Sequence, residues 1–268
     1  MMNMTDMVKH LLIINIIFFV GSFMVPNSSE LLALHYFESD KFRIWQPITH
    51  MFMHGGLMHI FFNMFALVSF GSALEQFWGG KKFLFFYLSC GIGSMLLHSL
   101  VTYWELHTIL NEFSNLNISR LDLLTMLNSD MQSGKTFQSN LLYENSKELF
   151  DKYPFTEESF TSFFEAACVN QSTAVGASGA IYGLLVAFAF MFPNAELALM
   201  FIPMPIKAKY FVPGILLVDL FLGLKGDSLF GSGGTGVAHF AHLGGALCGF
   251  LMMWYWKKNQ FDNNRWDR

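Results

Sequence analysis

The segment AVGASGAIYG, residues 174–183, places Ser178 among small residues where an apolar helix is predicted to begin. It departs from the G-x-S-x-G turn of soluble serine hydrolases, because Ala180 occupies the position of the last glycine. A serine among small residues is also typical of membrane helices that pack closely against each other. The segment by itself therefore leaves two interpretations of Ser178 open, a packing residue and a nucleophile.

The composition of the whole chain favours a membrane protein. Of its 268 residues, 53% are hydrophobic and only 13% are charged, which is too apolar for a soluble domain of this size. The net charge of -4 argues against the basic face of a nucleic-acid-binding protein, so we expect no nucleic-acid partner. Three scattered cysteines suggest neither a disulfide framework nor a metal cluster.

Six segments are apolar enough to be membrane helices. They cover residues 7–26, 50–78, 83–104, 178–193, 209–224 and 237–256. A membrane helix usually needs about 20 residues, so the fourth and fifth segments are short. The first segment resembles the core of a signal peptide, but no cleavage pattern of small residues follows it, so we expect a retained helix.

The six segments divide the chain into three parts. Residues 1–104 hold the first three predicted helices and the first outer loop, and residues 173–268 hold the last three and a short tail. Between them, residues 105–172 form a polar insert with ten acidic and four basic side chains. Its two amphipathic pieces, RLDLLTMLN and ESFTSFFEAA, predict a small helical region outside the membrane.

The distribution of positive charge predicts the orientation in the membrane. If the N-terminus is cytoplasmic, the short inner segments carry nine Lys and Arg side chains and the short outer segments carry three. We therefore expect a multi-pass protein with both termini in the cytoplasm, placed in a bacterial inner membrane. The Gly- and Ser-rich segment at 225–236 is then outside, where it is a candidate flexible cap over a water-filled cavity.

Polar side chains within apolar segments are costly in a membrane and mark candidate functional sites. They are His54, His59, Asn63, His98, Ser178, Tyr182, Asp219, His239 and His242. Three of them, Asn63, Ser178 and His242, lie 14 or 15 residues from the inner ends of their segments. At a rise of 1.5 Å per residue, all three lie about 21 to 23 Å above the inner boundary of the membrane.

A hydroxyl, an imidazole and an amide at one depth can form an acyl-transfer site. His242 would take the proton of Ser178 as a general base. Asn63, and His59 one turn before it, would donate hydrogen bonds to the oxyanion. Asp219 is a candidate third member of this group, but the sequence does not define which way its side chain faces.

Each of these residues also has a structural interpretation. Two pairs of glycines, Gly179 with Gly183 and Gly245 with Gly249, would let two helices pack closely, which a contact between Ser178 and a histidine also requires. His98 suits a hydrogen bond between helices. His50 and His54 have the spacing of metal ligands on a helix, but no carboxylate or thiol joins them, so we expect no metal.

Three motifs together resemble the rhomboid intramembrane serine proteases. They are GASG followed by Tyr182, AHLGGALCG at 241–249 and HGGLMHIFFN at 54–63. The resemblance runs from about Trp45 to Trp256. It implies a six-helix, all-α membrane bundle in which the polar insert lies between the third and fourth helices.

The resemblance also implies roles for individual residues. The nucleophile falls on Ser178 and the general base on His242, rather than on His239. The oxyanion-binding pair, spaced H-x-x-x-N, falls on His59 and Asn63.

Two further residues match the motifs, and one position departs from them. Tyr182 matches the aromatic residue that packs against the catalytic imidazole, and Gly176 lines the site. The Trp-Arg pair common in the first outer loop of the family is Trp45-Gln46 here, so a role for that arginine does not transfer.

The expected function is that of a serine endopeptidase that cuts membrane proteins in or near their transmembrane segments. Its partners are then transmembrane protein substrates and membrane lipid, and it needs no cofactor or metal. Two alternatives stay open, a rhomboid-like protein that binds clients without cutting them and a transporter lined by histidines. The sequence does not indicate an oligomeric state.

Overall fold

The computed structural model describes residues 4–134, 136–199, 202–225 and 237–257. The chain divides into two compact units. The first unit comprises residues 1–34, 45–98 and 175–268, and the second comprises residues 35–44 and 99–174. The predicted cap at 225–236 lies outside the described residues, except for Lys225.

The secondary structure is mainly helical. In chain order, the helices are α1 (Asp6–Met24), α2 (Ser28–Leu32), α3 (Gln46–Thr49), α4 (Leu57–Ala66), α5 (Ser72–Trp78), α6 (Gly80–Asn111), α7 (Arg120–Leu127), α8 (Ser139–Asn145), α9 (Lys147–Lys152), α10 (Glu157–Gln171), α11 (Ser178–Met191), α12 (Ala208–Lys225) and α13 (Val237–Trp256). The strands are β1 (Leu34–His35), β2 (Gln132–Ser133), β3 (Thr136–Phe137), β4 (Thr173–Ala174), β5 (Glu196–Leu199) and β6 (Ile202–Lys207). Short 3₁₀ turns cover His50–Phe52 and Ser114–Leu116, and a π-helical turn at Leu67–Gly71 joins α4 to α5.

Among the described residues, three helical stretches are long and apolar enough to cross a membrane. They are Asp6–Met24, Leu57–Trp78 and Gly80–Asn111. Helix α11 is apolar as well, but it has only 14 residues. The chain is therefore a mainly helical membrane protein, and the total of six membrane helices stays a prediction.

The segment predicted as one helix over residues 50–78 is interrupted near its start. Helix α4 begins only at Leu57, after the Gly-Gly pair at 55–56. Glycine has a low helix propensity and tolerates extended backbone, which explains the interruption. His50 lies in a 3₁₀ turn and His54 follows that turn, so the two rings do not have the helical spacing that suggested metal ligands.

Glu75 in α5 caps the beginning of α1. Its carboxylate accepts hydrogen bonds from the backbone N–H groups of Met7 and Val8, each at 2.9 Å, and from the hydroxyl of Thr5. The first N–H groups of a helix have no acceptor within the helix, and a negative charge is favourable there. Glu75 therefore fixes the beginning of α1 against α5.

Helices α11 and α13 approach closely through glycines, as the sequence predicts. A Cβ atom on Gly245 would collide with the carbonyl oxygen of Gly179. A Cβ atom on Gly249 would lie 2.8 Å from the Cα atom of Gly183, which is much shorter than a normal carbon contact. Any side chain at these positions would force the two helix backbones apart.

The second unit has an apolar core of its own. Phe163 in α10 is fully buried, and its ring lies 5.5 to 5.7 Å from the rings of Phe113, Phe150 and Phe155. Helix α10 begins with a capping box, in which Thr156 and Ser159 satisfy each other's backbone N–H groups. Helices α7 to α10 thus bury their apolar side chains within this unit, as helices of a water-soluble domain do.

Candidate active site

The beginning of α11 and the first half of α13 bring a serine and a histidine into contact. The hydroxyl oxygen of Ser178 lies 3.0 Å from Nε2 of His242, a hydrogen-bond distance. The side chain of His242 is 23% exposed, so a small molecule such as water can reach it. The contact joins two residues that the sequence places at one depth.

Tyr182 fixes the plane of the His242 ring. It lies one turn after Ser178 in α11, and the two rings stack with their centroids 4.3 Å apart and their planes 10° apart. A stacked neighbour restricts rotation of the imidazole, so Nε2 stays directed towards the hydroxyl of Ser178. The structure thus brings together all three residues expected on this side of the site.

Gly176 lies between the His59 ring and Ser178. Its φ angle of 123° is in a region that residues with a side chain rarely adopt. A Cβ atom at this position would lie 2.8 Å from Nε2 of His59 and 3.6 Å from the hydroxyl oxygen of Ser178. The backbone N–H of Gly176 donates to the carbonyl oxygen of His50 at 2.9 Å, so it is already used and does not serve as an oxyanion donor.

The hydrogen bond to the other nitrogen of His59 defines its tautomer. The backbone N–H of Gly55 donates to Nδ1 of His59 at 3.4 Å. Because Nδ1 accepts this bond, the proton of a neutral ring is on Nε2, the nitrogen that faces Gly176. His59 therefore presents an N–H donor next to Ser178.

Asn63 supplies a second free donor on the same face of α4. It follows His59 by four residues, and its side chain is buried. Among the described residues, its amide nitrogen Nδ2 has no hydrogen-bond partner. A buried amide without a partner is costly, and such groups are found where a ligand or a reacting group supplies the partner.

Asp219 and His239 extend the group beyond what the sequence defined. Both are buried, and Nδ1 of His239 lies 2.5 Å from Oδ1 of Asp219. Nδ1 of His242 lies 3.2 Å from the same carboxylate oxygen. The signal in the sequence is a lone aspartate in an apolar helix, but only the rotation of α12 shows that it faces α13.

The same three side chains are the candidate ligands for a metal ion in the described part of the chain. One ligand atom from each of Asp219, His239 and His242 lies within 4.8 Å of the others. Two atoms that each bind zinc at about 2.0 to 2.1 Å in tetrahedral geometry lie about 3.3 Å apart. The 2.5 Å separation between His239 and Asp219 is shorter than this, so the two side chains are in direct hydrogen-bond contact.

Comparison with known proteins identifies the family. A family model described as the Rhomboid domain matches residues 41–106 and 155–259, more than half of the chain. The chain belongs to the rhomboid family. The matched residues of this rhomboid protein include the segments that contain His59, Ser178 and His242.

Several rhomboid relatives share part of the sequence. RHOMBOID-like protein 6, mitochondrial, of Arabidopsis thaliana is 35% identical over 82 residues, which is 29% of this chain and 27% of that protein. Rhomboid-like protease 3 of Toxoplasma gondii is 31% identical over 67 residues, 25% of this chain and 26% of that protein. An uncharacterised mitochondrial rhomboid protein of Schizosaccharomyces pombe is 28% identical over 237 residues, 81% of this chain and 52% of that protein.

These rhomboid relatives are longer than the shared region. The chain matches between 26% and 52% of the length of the three relatives named above. Two of the three carry the word mitochondrial in their names, which conflicts with the expectation of a bacterial inner membrane.

Proposed function

We propose that this rhomboid protein is an intramembrane serine endopeptidase that uses Ser178 as its nucleophile and His242 as its general base. The observation that carries the proposal is the 3.0 Å separation between the Ser178 hydroxyl and Nε2 of His242. A nucleophile within hydrogen-bond reach of a base, itself oriented by a third group, is the arrangement that activates a serine for acyl transfer.

The first half of the proposed reaction forms an ester on Ser178. Nε2 of His242 takes the hydroxyl proton as the serine oxygen bonds to the carbonyl carbon of the scissile peptide. The protonated ring then gives this proton to the leaving amine as the C–N bond breaks. Tyr182 holds the ring plane throughout, so one nitrogen performs both transfers.

The second half releases the product. A water molecule attacks the ester carbonyl and gives a proton to Nε2 of His242, and the ring returns a proton to the oxygen of Ser178 as the ester bond breaks. Because His242 is partly exposed, water has a path to this position. The second substrate of hydrolysis therefore reaches a site built from apolar helices.

The negative charge that develops on the carbonyl oxygen is stabilised by donors around Ser178. Nε2–H of His59 and Nδ2–H of Asn63 are the side-chain donors, and the first backbone N–H groups of α11 are further donors. The positive end of the α11 dipole also favours a negative charge at this position.

Three features of the whole protein belong to the same proposal. We infer six membrane helices with both termini in the cytoplasm, and an insert at 105–172 that lies outside the membrane. The substrates are transmembrane proteins, reached within the lipid bilayer and cut in or beside their membrane segments. The insert influences which of them reach the site.

Labelling with a fluorophosphonate tests the proposal, because this reagent forms a covalent bond with an activated serine. The wild-type protein is expected to be labelled, and Ser178→Ala and His242→Ala are expected to remain unlabelled. Ser72→Ala is the matched control, since Ser72 is a buried serine whose hydroxyl has no partner among the described residues. Absence of labelling in a folded wild-type protein would favour the alternative of a client-binding protein that does not cut.

A further inference from the structure

The carboxylate of Asp219 lies behind the base of the proposed site, and it contacts two histidines at once. We propose that Asp219 is a positioning residue that orients His242, and that His239 in turn holds Asp219. This inference rests on the proposed function and extends it from a pair of residues to a chain of four groups: serine, histidine, aspartate and histidine.

The carboxylate of Asp219 determines the tautomer of His242. To accept the proton of Ser178, Nε2 must be unprotonated, so the ring proton of the neutral histidine must be on Nδ1. An ionised carboxylate accepts hydrogen bonds and donates none. Oδ1 of Asp219, at 3.2 Å from Nδ1, therefore selects the tautomer that the reaction requires.

The carboxylate of Asp219 also stabilises the positive charge that His242 acquires during the reaction. When His242 takes the proton, its ring becomes a cation in surroundings of low polarity. A carboxylate at hydrogen-bond distance stabilises that cation, and the interaction is stronger than it would be in water. Because Asp219 is buried among apolar helices, its charge acts on the ring without screening by solvent.

His239 holds the carboxylate of Asp219 in place. It lies three residues before His242 on the same side of α13, and its Nδ1 donates to Oδ1 of Asp219 at 2.5 Å. This bond fixes the rotation of the carboxylate, so the same oxygen stays directed towards His242. Without it, Nδ1 of His242 would be the remaining donor from α13 to this carboxylate among the described residues.

Tyr182 adds a contact on the face of the His242 ring. Its ring stacks on the ring of His242, with the two planes 10° apart. Tyr182 therefore fixes the plane of the His242 ring, and Asp219 fixes the rotation of the ring within that plane. Groups on α11, α12 and α13 together define one orientation of the imidazole.

The test measures kcat and KM for cleavage of a transmembrane test substrate by full-length variants in lipid vesicles. Asp219→Asn keeps the size of the side chain but can donate a hydrogen bond and select the wrong tautomer. We expect it to lower kcat by about 10²-fold or more, with KM nearly unchanged. Val218→Ala, at the exposed neighbouring position on α12, is the control and should retain the wild-type kcat.

Two substitutions at the second histidine separate the hydrogen bond from packing. His239→Leu removes the donor and should lower kcat by a smaller factor than Asp219→Asn does. His239→Asn keeps an N–H donor close to the position of Nδ1, so this variant should retain most of the wild-type kcat that His239→Leu loses. Because His239 acts through Asp219, Asp219→Asn combined with His239→Leu should be no slower than Asp219→Asn alone.

Several results would overturn the inference. A wild-type kcat in Asp219→Asn would show that the carboxylate does not position the base, and strictly multiplicative losses in the combined variant would show that His239 does not act through Asp219. A wild-type kcat that falls on treatment with a zinc chelator would place an ion, rather than a proton, between the three groups. If the variants lose kcat only in proportion to a loss of folded protein in thermal unfolding, the role is structural.

The proposed function and the inference fail in different ways. If the wild-type protein cuts no substrate and Ser178 resists fluorophosphonate labelling, the function itself is wrong. If the wild-type protein is active and depends on Ser178 and His242, whereas Asp219→Asn is equally active, only the positioning role is wrong.

Discussion

The first unit and the insert at residues 105–172, which forms most of the second unit, bury their apolar surface in opposite ways. In the first unit, α1 alone exposes a series of large apolar side chains: Ile13, Ile14, Ile16, Ile17, Val20, Phe23 and Met24. In the described part of residues 105–172, the exposed large apolar side chains are Leu121 and Tyr143. An apolar exterior is stable in lipid, and an apolar interior under a polar surface is stable in water.

The two units also differ in the residues that lie between their helices. Glycines and polar side chains occupy the contacts among α11, α12 and α13, whereas phenylalanine rings fill the centre of the second unit. Burial from water does not drive helices together within lipid, so close backbone packing and hydrogen bonds carry the association there. The polar groups of the proposed site are therefore part of the contact that joins these helices, and chemistry and packing depend on the same residues.

The broadest expected effect comes from breaking the glycine contact, because it lowers both the cleavage rate and the stability. Gly245→Ala places a methyl group against the carbonyl oxygen of Gly179, so α11 and α13 must separate. A displacement of about 1 Å at a reacting group costs about 10²-fold in rate, and overpacking costs about 1 to 3 kcal/mol of stability. We expect both losses, measured as the cleavage rate and the thermal unfolding temperature.

Gly214→Ala is the matched control for this substitution. A Cβ atom on Gly214 in α12 would have no atom within 4 Å. The variant should keep the wild-type rate and unfold at the same or a higher temperature. Equal behaviour of the two variants would show that the close approach of α11 and α13 is not needed.

The second effect is confined to the chemistry of the first unit. Asn63→Ala removes an oxyanion donor and should lower kcat by about 10²- to 10³-fold. His59→Ala should have a similar effect, and the two losses should be less than multiplicative because the backbone donors of α11 remain. KM and the unfolding temperature should change little, and Phe62→Ala, at an exposed position of α4, is the control. Unchanged rates in both variants would remove these residues from the site.

The third effect is confined to the second unit. Phe163→Ala removes a fully buried ring and should cost about 3 to 5 kcal/mol within that unit. Hydrogen exchange in residues 105–172 should become faster, whereas fluorophosphonate labelling of Ser178 should persist. If the insert influences substrate choice, the ranking of test substrates should change. Leu121→Ala, at an exposed position, should leave exchange unaffected. Loss of labelling in Phe163→Ala would show that the site needs the second unit intact.

The smallest expected effect concerns an ion pair on the surface of the second unit. Hydrogen bonds from Lys152, at 2.7 Å, and from Tyr153 lower the pKa of Asp122 to about 2. Since this pKa lies below the ordinary value of about 3.9, the stabilisation is complete above that value and is lost as the pH falls towards 2. Asp122→Asn should therefore be slightly less stable than wild type at pH 7 in low salt, and the difference should vanish near pH 2.

The control for this pair is Glu144→Gln, which changes an exposed carboxylate elsewhere in the second unit. Thermal unfolding of both variants at the two pH values measures the difference. An Asp122→Asn variant as stable as wild type at pH 7 would show that exposure to solvent cancels the contribution of the pair.

Much of the arrangement around Ser178 was accessible from the sequence because helix geometry is regular. A fixed rise per residue places Ser178, His242 and Asn63 at one depth, and paired glycines indicate which helices approach closely. The orientation of Asp219 was not accessible, since it depends on the rotation of α12 about its axis. That rotation is determined by packing against α13, which a single apolar sequence does not specify.

Two elements were missed for local reasons. The Gly-Gly break before α4 lies within a mainly apolar stretch, so the sequence over residues 50–78 predicts one continuous helix. The hairpin of β5 and β6, with Leu197 opposite Ile206, was not predicted. Its second strand contains two prolines, which usually indicate a loop rather than a strand.

The most direct test of the account is single-turnover cleavage of a transmembrane substrate in lipid vesicles, with the products identified by mass spectrometry. We expect the wild-type protein to cut in or beside the membrane segment of the substrate. We also expect Ser178→Ala, His242→Ala and the double variant all to fall to the same residual rate, because the two residues act as one unit. Substantial cleavage by Ser178→Ala, or a double variant much slower than either single variant, would contradict the assignment of nucleophile and base.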